Sequence, residues 1–160
     1  MNAEDVAAYL RAHALAGEVV RLPEPTPTVE TAARAAGTAP ERIVKSVLFL
    51  AAGAPVLVVA NGPARVDYKR VADHLGITRK KLKLADAETV QAVTGFPVGT
   101  VPPFGHVTRL RTLVDSGVLA LPEVFAGGGA LDALLRLAPA ELVRAAQAEI
   151  AALRAETPAD

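Results

Sequence analysis

Residues 43–52 read Ile43-Val44-Lys45-Ser46-Val47-Leu48-Phe49-Leu50-Ala51-Ala52, and after Gly53-Ala54-Pro55 a second run follows, Val56-Leu57-Val58-Val59-Ala60. Both are near-continuous apolar runs enriched in β-branched residues, the pattern of central strands covered on both faces. The glycine–proline joint between them makes a hairpin. Alternation sets Lys45 on one face with Ile43, Val47 and Phe49. A charge in such a run is costly unless it is paired or aimed at a partner. Two readings stand for Lys45: a strand-mouth lysine with its stem on apolar surface and its ammonium in water, or a cation directed at a ligand.

Outward from the hairpin, helices and short strands alternate. Asn2 caps a first helix to Ala16, with Glu4 and Asp5 in its first turn and Val6, Tyr9, Leu10 and His13 on one face. A strand at 19–22 ends in Pro23-Glu24-Pro25-Thr26-Pro27, where three prolines forbid a ladder. Thr28 caps a second helix that Gly37 closes. Asn61-Gly62-Pro63 breaks the chain, and a basic helix runs from about Asp67 to Leu75. A short strand at 81–85 precedes a helix from Asp86 to Thr94. Short strands are expected at 107–110, 112–114, 124–126 and 134–137. Pro139 opens a last helix to about Arg154, with Leu142, Ala146, Ile150 and Leu153 as its buried stripe. The expected fold is α/β (α+β): residues 1–160 as one domain, a mixed, mostly antiparallel sheet surrounded by helices.

Composition bounds the chemistry. The 160 residues are 51% hydrophobic and 21% charged, the balance of a globular chain and not of a disordered one. No cysteine is present, which excludes a disulfide scaffold, a thiol nucleophile and any thiolate metal site. His13, His74 and His106 lie far apart with no ligand spacing, so no metal and no cofactor is expected. No apolar stretch approaches the ~20 residues of a membrane span. Met1 to Asp5 lacks the basic and apolar regions of a secretory leader, so the expected compartment is the cytoplasm, with no membrane partner.

Seventeen basic and seventeen acidic side chains cancel, but they are unevenly placed. Residues 65–83 hold seven Lys or Arg against Asp67 and Asp73, whereas residues 112–160 hold seven acids against three arginines. The basic run is either a solvated face or a polyanion contact.

The most unusual stretch is Gly95-Phe96-Pro97-Val98-Gly99-Thr100-Val101-Pro102-Pro103-Phe104-Gly105-His106, which can be neither helix nor ladder. Glycines admit a ligand close to the main chain, and prolines stiffen the walls so that N–H and C=O groups keep a fixed aim. The alternative is a rigid surface connection. No Gly-Lys-Ser/Thr follows, so it is no Walker loop, and no Gly-x-Ser-x-Gly elbow occurs anywhere. Gly127-Gly128-Gly129 is a turn or a close-approach point, Asp115 reads as a turn cap, and His106 stands out only by following the loop.

In order along the chain, Ile43 to Phe49, Arg65-Val66-Asp67-Tyr68-Lys69, Thr94 to Gly105, Val114-Asp115 and Gly128-Gly129 resemble the signatures of the YbaK/EbsC family. These are aminoacyl-tRNA deacylases, trans-editing proteins related to the insertion domain of bacterial prolyl-tRNA synthetase. The resemblance runs from about Thr28 to Leu142 and implies hydrolysis of the ester on a mischarged tRNA, commonly Cys- or Ala-tRNA-Pro. It implies that Lys45 anchors the terminal nucleotide and that the loop from Gly99 to Pro103 holds the aminoacyl ester through main-chain groups. Lys45 and Gly99 are then the catalytic candidates. Ser46, Thr100, Val101, Pro103, Phe104, Gly105, His106, Gly128 and Gly129 are candidates for substrate binding. Lys69, Arg70, Arg79, Lys80 and Lys81 would track the tRNA backbone, which positions without reading sequence. The partners implied are the aminoacylated 3′ end of tRNA and a delivering prolyl-tRNA synthetase. One departure stands out: an aspartate that some cysteine-specific members carry after the glycine turn falls on Leu134 here, with Asp132 two residues earlier. Rival readings are a non-catalytic module for a tRNA end or nucleotide, and a small-molecule esterase or amidohydrolase.

Overall fold

A computed structural model describes residues 1–155. Glu156 and Asp160, which enter the acidic count, lie outside the described residues. The hairpin forms as the apolar runs predict: β2 (Val44–Ala51) pairs antiparallel with β3 (Ala54–Asn61) along their whole length, Lys45 facing Ala60 and Ser46 facing Val59. Both faces are covered. Val44, Leu48, Leu57 and Val59 join one buried cluster, while Phe49, Val56 and Val58 join another.

Instead of one sheet the described residues form two. The larger has the order β4-β2-β3-β5-β8, with β4 (Leu82–Leu84) antiparallel to β2, and β5 (Arg111–Asp115) and β8 (Glu149–Ala151) added in parallel. The smaller is antiparallel, β1 (Gly17–Arg21), β7 (Ala133–Leu137) and β6 (Val124–Gly127). A lone bridge from Ile43 to Phe125 joins them. The architecture is α+β with mixed sheets. Among the described residues no helix is long and apolar enough to cross a membrane.

Of the five α-helices among the described residues, four start on a side-chain cap. α1 (Ala3–Ala12) is shorter than expected and stops at His13. α2 (Val29–Ala36), α3 (Tyr68–Leu75) and α4 (Ala87–Thr94) start at Thr28, Asp67 and Asp86 and end on glycines in the left-handed region. The strand expected at 107–110 is absent, and the ladder begins only at Arg111.

The last element corrects the sequence reading. α5 spans Pro139–Ala146 and ends at Gln147, whose φ of 49° turns the chain out of the helix. Glu149 to Ala151 then pairs with Leu113 to Asp115, and Arg111 grips Glu149 at 2.7 and 2.8 Å. The supposed stripe breaks up: Leu142 and Leu153 are buried, but Ile150 is 45% exposed. The break places Leu153 in the second core cluster, a burial that contributes about 2 kcal/mol. Asp115 holds this arrangement. Its carboxylate is almost fully buried, accepts from the backbone N–H groups of Gly117, Leu153 and Arg154, and forms an ion pair with the Arg154 guanidinium.

Candidate functional site

The glycine–proline loop is tied at its base, because the buried Thr94 hydroxyl donates to Val90 O at 2.7 Å and accepts from the Phe96 N–H. A four-residue turn follows, closed by Thr100 N–H and Oγ1 both donating to Pro97 O. Its third position is Gly99 at φ +85°, which an L side chain rarely adopts. Val101 and Phe104 sink into the core and anchor the loop there.

The loop is also clasped from behind. Gly129 N–H donates to Thr100 O at 2.9 Å. Gly127 lies so close that a Cβ there would run into the Val101 carbonyl, its carbon 2.7 Å away. Cβ atoms on Gly128 and Gly129 would strike the backbones of Ala133 and Asn2, each at 2.7 Å. The three glycines are a close-approach device for three different segments.

Between the Ile43–Phe125 bridge and Leu48, whose carbonyl accepts from Ala85 N–H, no strand among the described residues pairs with the outer edge of β2. Leu48 O faces that edge, so the period of two turns the main-chain groups of Ser46 toward it as well. A cavity of about 190 Å³ opens there, walled by Lys45, Ser46, Gly99, Val101 and Gly127. Val29, Ala32, Ile43 and Leu134 add an apolar side to it. Lys45 is half-buried and makes no hydrogen bond or ion pair among the described residues. Ser46 Oγ is buried without a hydrogen-bond partner. A donor-rich cation therefore borders one small cavity together with Ser46, Gly99, Val101 and Gly127, an arrangement suited to an anionic or carbonyl-bearing ligand with a small apolar substituent.

The structure does not unite the whole candidate set. Pro103, Phe104, Gly105 and His106 line a different cavity, and Gly128 and Gly129 line neither. Thr100 is buried, its hydroxyl spent on Pro97. His106 donates from Nε2 to Pro102 O at 2.7 Å, and burial pushes its imidazole below the usual range, so the ring is neutral near pH 7. Asp132 pairs with Arg21 at 3.5 Å on the surface.

The basic run lies toward the other end of β2. Lys83 is opposite Leu50, five residues beyond Lys45 and so roughly 17 Å along the strand. Lys69 is paired with Asp73 and Arg70 with Asp67, while Arg79 covers the Tyr68 ring at 4.5 Å. The ammonium groups of Lys80, Lys81 and Lys83 have no partner among the described residues. Gly127 was the site residue hidden from the sequence, since a glycine triplet does not say which member touches which backbone.

A model of the aminoacyl-tRNA editing domain matches residues 23–145. The YwhH protein of Bacillus subtilis (strain 168), itself uncharacterized, is 33% identical over 116 residues, 72% of each chain. The proline–tRNA ligase of Thermoanaerobacter sp. (strain X514) is 28% identical over 105 residues; that match takes in 66% of this chain but only 18% of the ligase. A crystal structure of a candidate trans-editing enzyme for prolyl tRNA synthetase superposes with a TM-score of 0.88 at 35% identity, covering 96% of this chain and 97% of the other.

Proposed function

Because the chain belongs to the aminoacyl-tRNA editing domain family, we propose that it hydrolyses, in trans, the ester joining a small, wrongly attached amino acid to the 3′ end of tRNA for proline. The observation that carries this reading is the unpaired Lys45 on a cavity that it shares with Ser46, Gly99 and Val101. Water adds to the ester carbonyl carbon, the bond to the ribose oxygen breaks, and that oxygen leaves with a proton as the amino acid departs. The neighbouring ribose hydroxyl is supplied by the substrate, so no protein nucleophile is needed. Position and fixed dipoles at the developing oxyanion lower the barrier. Lys45 holds the charged terminus of the RNA or the carbonyl oxygen, and Ser46 orients the aminoacyl group. Lys80, Lys81 and Lys83 meet the acceptor backbone farther along the sheet.

The cavity lining bears on which amino acid is removed. The apolar side built from Ala32, Ile43 and Leu134 suits a small aliphatic substituent, for which alanine or cysteine is the expected occupant. A pocket of this kind separates ligands differing by a methylene only ~10–200-fold. Alanyl- and cysteinyl-tRNA-Pro are therefore expected to be cleaved at least ~10-fold faster than prolyl-tRNA-Pro. A panel of charged tRNAs under single turnover measures this. Preference for the prolyl ester contradicts editing, and retention of every ester uncleaved leaves a binding module.

The clasp behind the loop gives a second expectation. Gly127→Ala forces the Val101 carbonyl aside by most of an ångström. A misplacement of about 1 Å costs roughly 10²-fold in rate, so deacylation should fall by about that factor while circular dichroism shows a folded chain. Gly53→Ala, at the hairpin turn with nothing within 4 Å, is the control: it should cost about 1 kcal/mol of stability and leave the rate unchanged. Equal rates for the two variants would remove the clasp from the mechanism.

A further inference from the structure

A second cavity, of about 560 Å³, lies where α1, the far half of the glycine–proline loop and the last turn of α5 meet. Its volume is in the range of small-molecule sites. The proposed hydrolysis makes no use of it. Its wall is basic and aromatic: Arg109 and Arg144 line it together with the rings of Tyr9, His13 and His106, and no carboxylate does.

The cations have donors to spare. Arg109 donates one N–H to Gln147, out of five on its guanidinium. Arg144 spends Nε and Nη2 on Glu141, just outside the cavity, leaving Nη1 unengaged. Arg109 therefore carries the uncompensated charge. The aromatic part is a stack: Tyr9 and His13 lie 3.9 Å apart at 21°, and Gly105 approaches the Tyr9 ring closely enough that a Cβ would sit 3.2 Å from it. His13 is the exposed member of that pair.

We propose that this cavity binds a nucleoside 5′-phosphate, with the phosphate on Arg109 and the free edge of Arg144 and the base stacked on His13. Inorganic phosphate alone would leave most of the volume and the ring stack unused. A planar base attached to an anion satisfies both. The ligand is either a free mononucleotide or one nucleotide of an RNA strand. The site goes beyond the proposed hydrolysis, since mononucleotide binding requires neither an ester nor tRNA. Its wall is nonetheless the same loop whose other end borders Lys45.

The test is calorimetric titration of the full chain with CMP, AMP and inorganic phosphate. Saturable mononucleotide binding is expected, at least tenfold tighter than phosphate. Arg109→Gln should weaken it by roughly 10-fold or more, the size of a lost charge-assisted bond, and His13→Ala by about 5-fold or more, the size of a lost stacking contact. Gly53→Ala, at the hairpin turn with nothing within 4 Å, should leave it unchanged. Absence of saturable binding at millimolar nucleotide overturns the proposal, as does undiminished affinity in Arg109→Gln. Loss in Lys45→Ala with retention in Arg109→Gln would put the nucleotide in the other cavity, and likewise overturns it. An uncharged RNA hairpin with a single-stranded CCA end then identifies the source: displacement of bound CMP assigns the site to the RNA terminus, and failure to displace assigns it to a free nucleotide.

Discussion

Lys45→Ala is expected to lose about 10²–10³-fold in kcat/KM for deacylation, with a melting temperature within about 2 °C of the parent chain. The kinetic part follows from what the ammonium would hold. A preorganised donor at a developing oxyanion, or a charge-assisted bond to phosphate, accounts for roughly 3–4 kcal/mol when it is removed from a partly desolvated site. The stability part follows from what Lys45 does not hold. It has no hydrogen bond or ion pair among the described residues, so its loss orphans no group. Lys45→Arg separates two uses of the charge. A phosphate grip tolerates the guanidinium and recovers part of the rate, whereas a single donor aimed at the carbonyl oxygen does not. Steady-state and single-turnover assays on both variants measure this. Activity of Lys45→Ala within a few-fold of the parent chain would remove Lys45 from the reaction.

The second large effect is on stability and falls on Asp115. Its Oδ1 accepts from Leu153 N–H at 2.7 Å and Arg154 N–H at 3.1 Å, and its Oδ2 accepts from Gly117 N–H at 2.9 Å and forms an ion pair with Arg154 Nε at 3.0 Å. Asp115→Asn keeps the shape but turns one oxygen into an NH2 group. Whichever way the amide is flipped, a donor then faces donors in a site where the side chain is 4% exposed. Breaking a buried pair of this kind costs about 3–5 kcal/mol. At about 2–4 °C per kcal/mol for this chain length, the melting temperature should drop by roughly 6–20 °C. Asp115 lines neither cavity, so the folded variant should deacylate at the parent rate well below its transition. A melting point within 2 °C would mean the carboxylate is not the tie described. A slow but fully folded variant would instead place Asp115 in the chemistry.

The tie explains why an aspartate near the end of a strand stands in the same ordered set of motifs as the lysine strand and the glycine–proline loop. It locks β5 to residues 151–155. These in turn pair with Arg65 to Asp67 at the start of α3, through Asp67 N–H to Leu153 O and Ala155 N–H to Arg65 O. A turn cap was the sequence reading, and the Gly117 N–H shows that part of it. The rest depends on a segment 38 residues away.

What the amino-acid order determined by itself was local. The apolar runs around Gly53 specify a hairpin because burial on two faces demands unbroken hydrophobicity. Thr28, Asp67 and Asp86 start helices because their side chains satisfy N–H groups two or three residues on. The lysine strand and the glycine–proline loop, in order, were enough to suggest the editing family. Tertiary structure alone decided that the loop serves two cavities, that Gly127 rather than its neighbours borders the one with Lys45, and that the last helix gives way to a strand. Each of these turns on one backbone approaching another from far along the chain. The energy of such an approach resides in contacts that neither partner's own neighbours reveal.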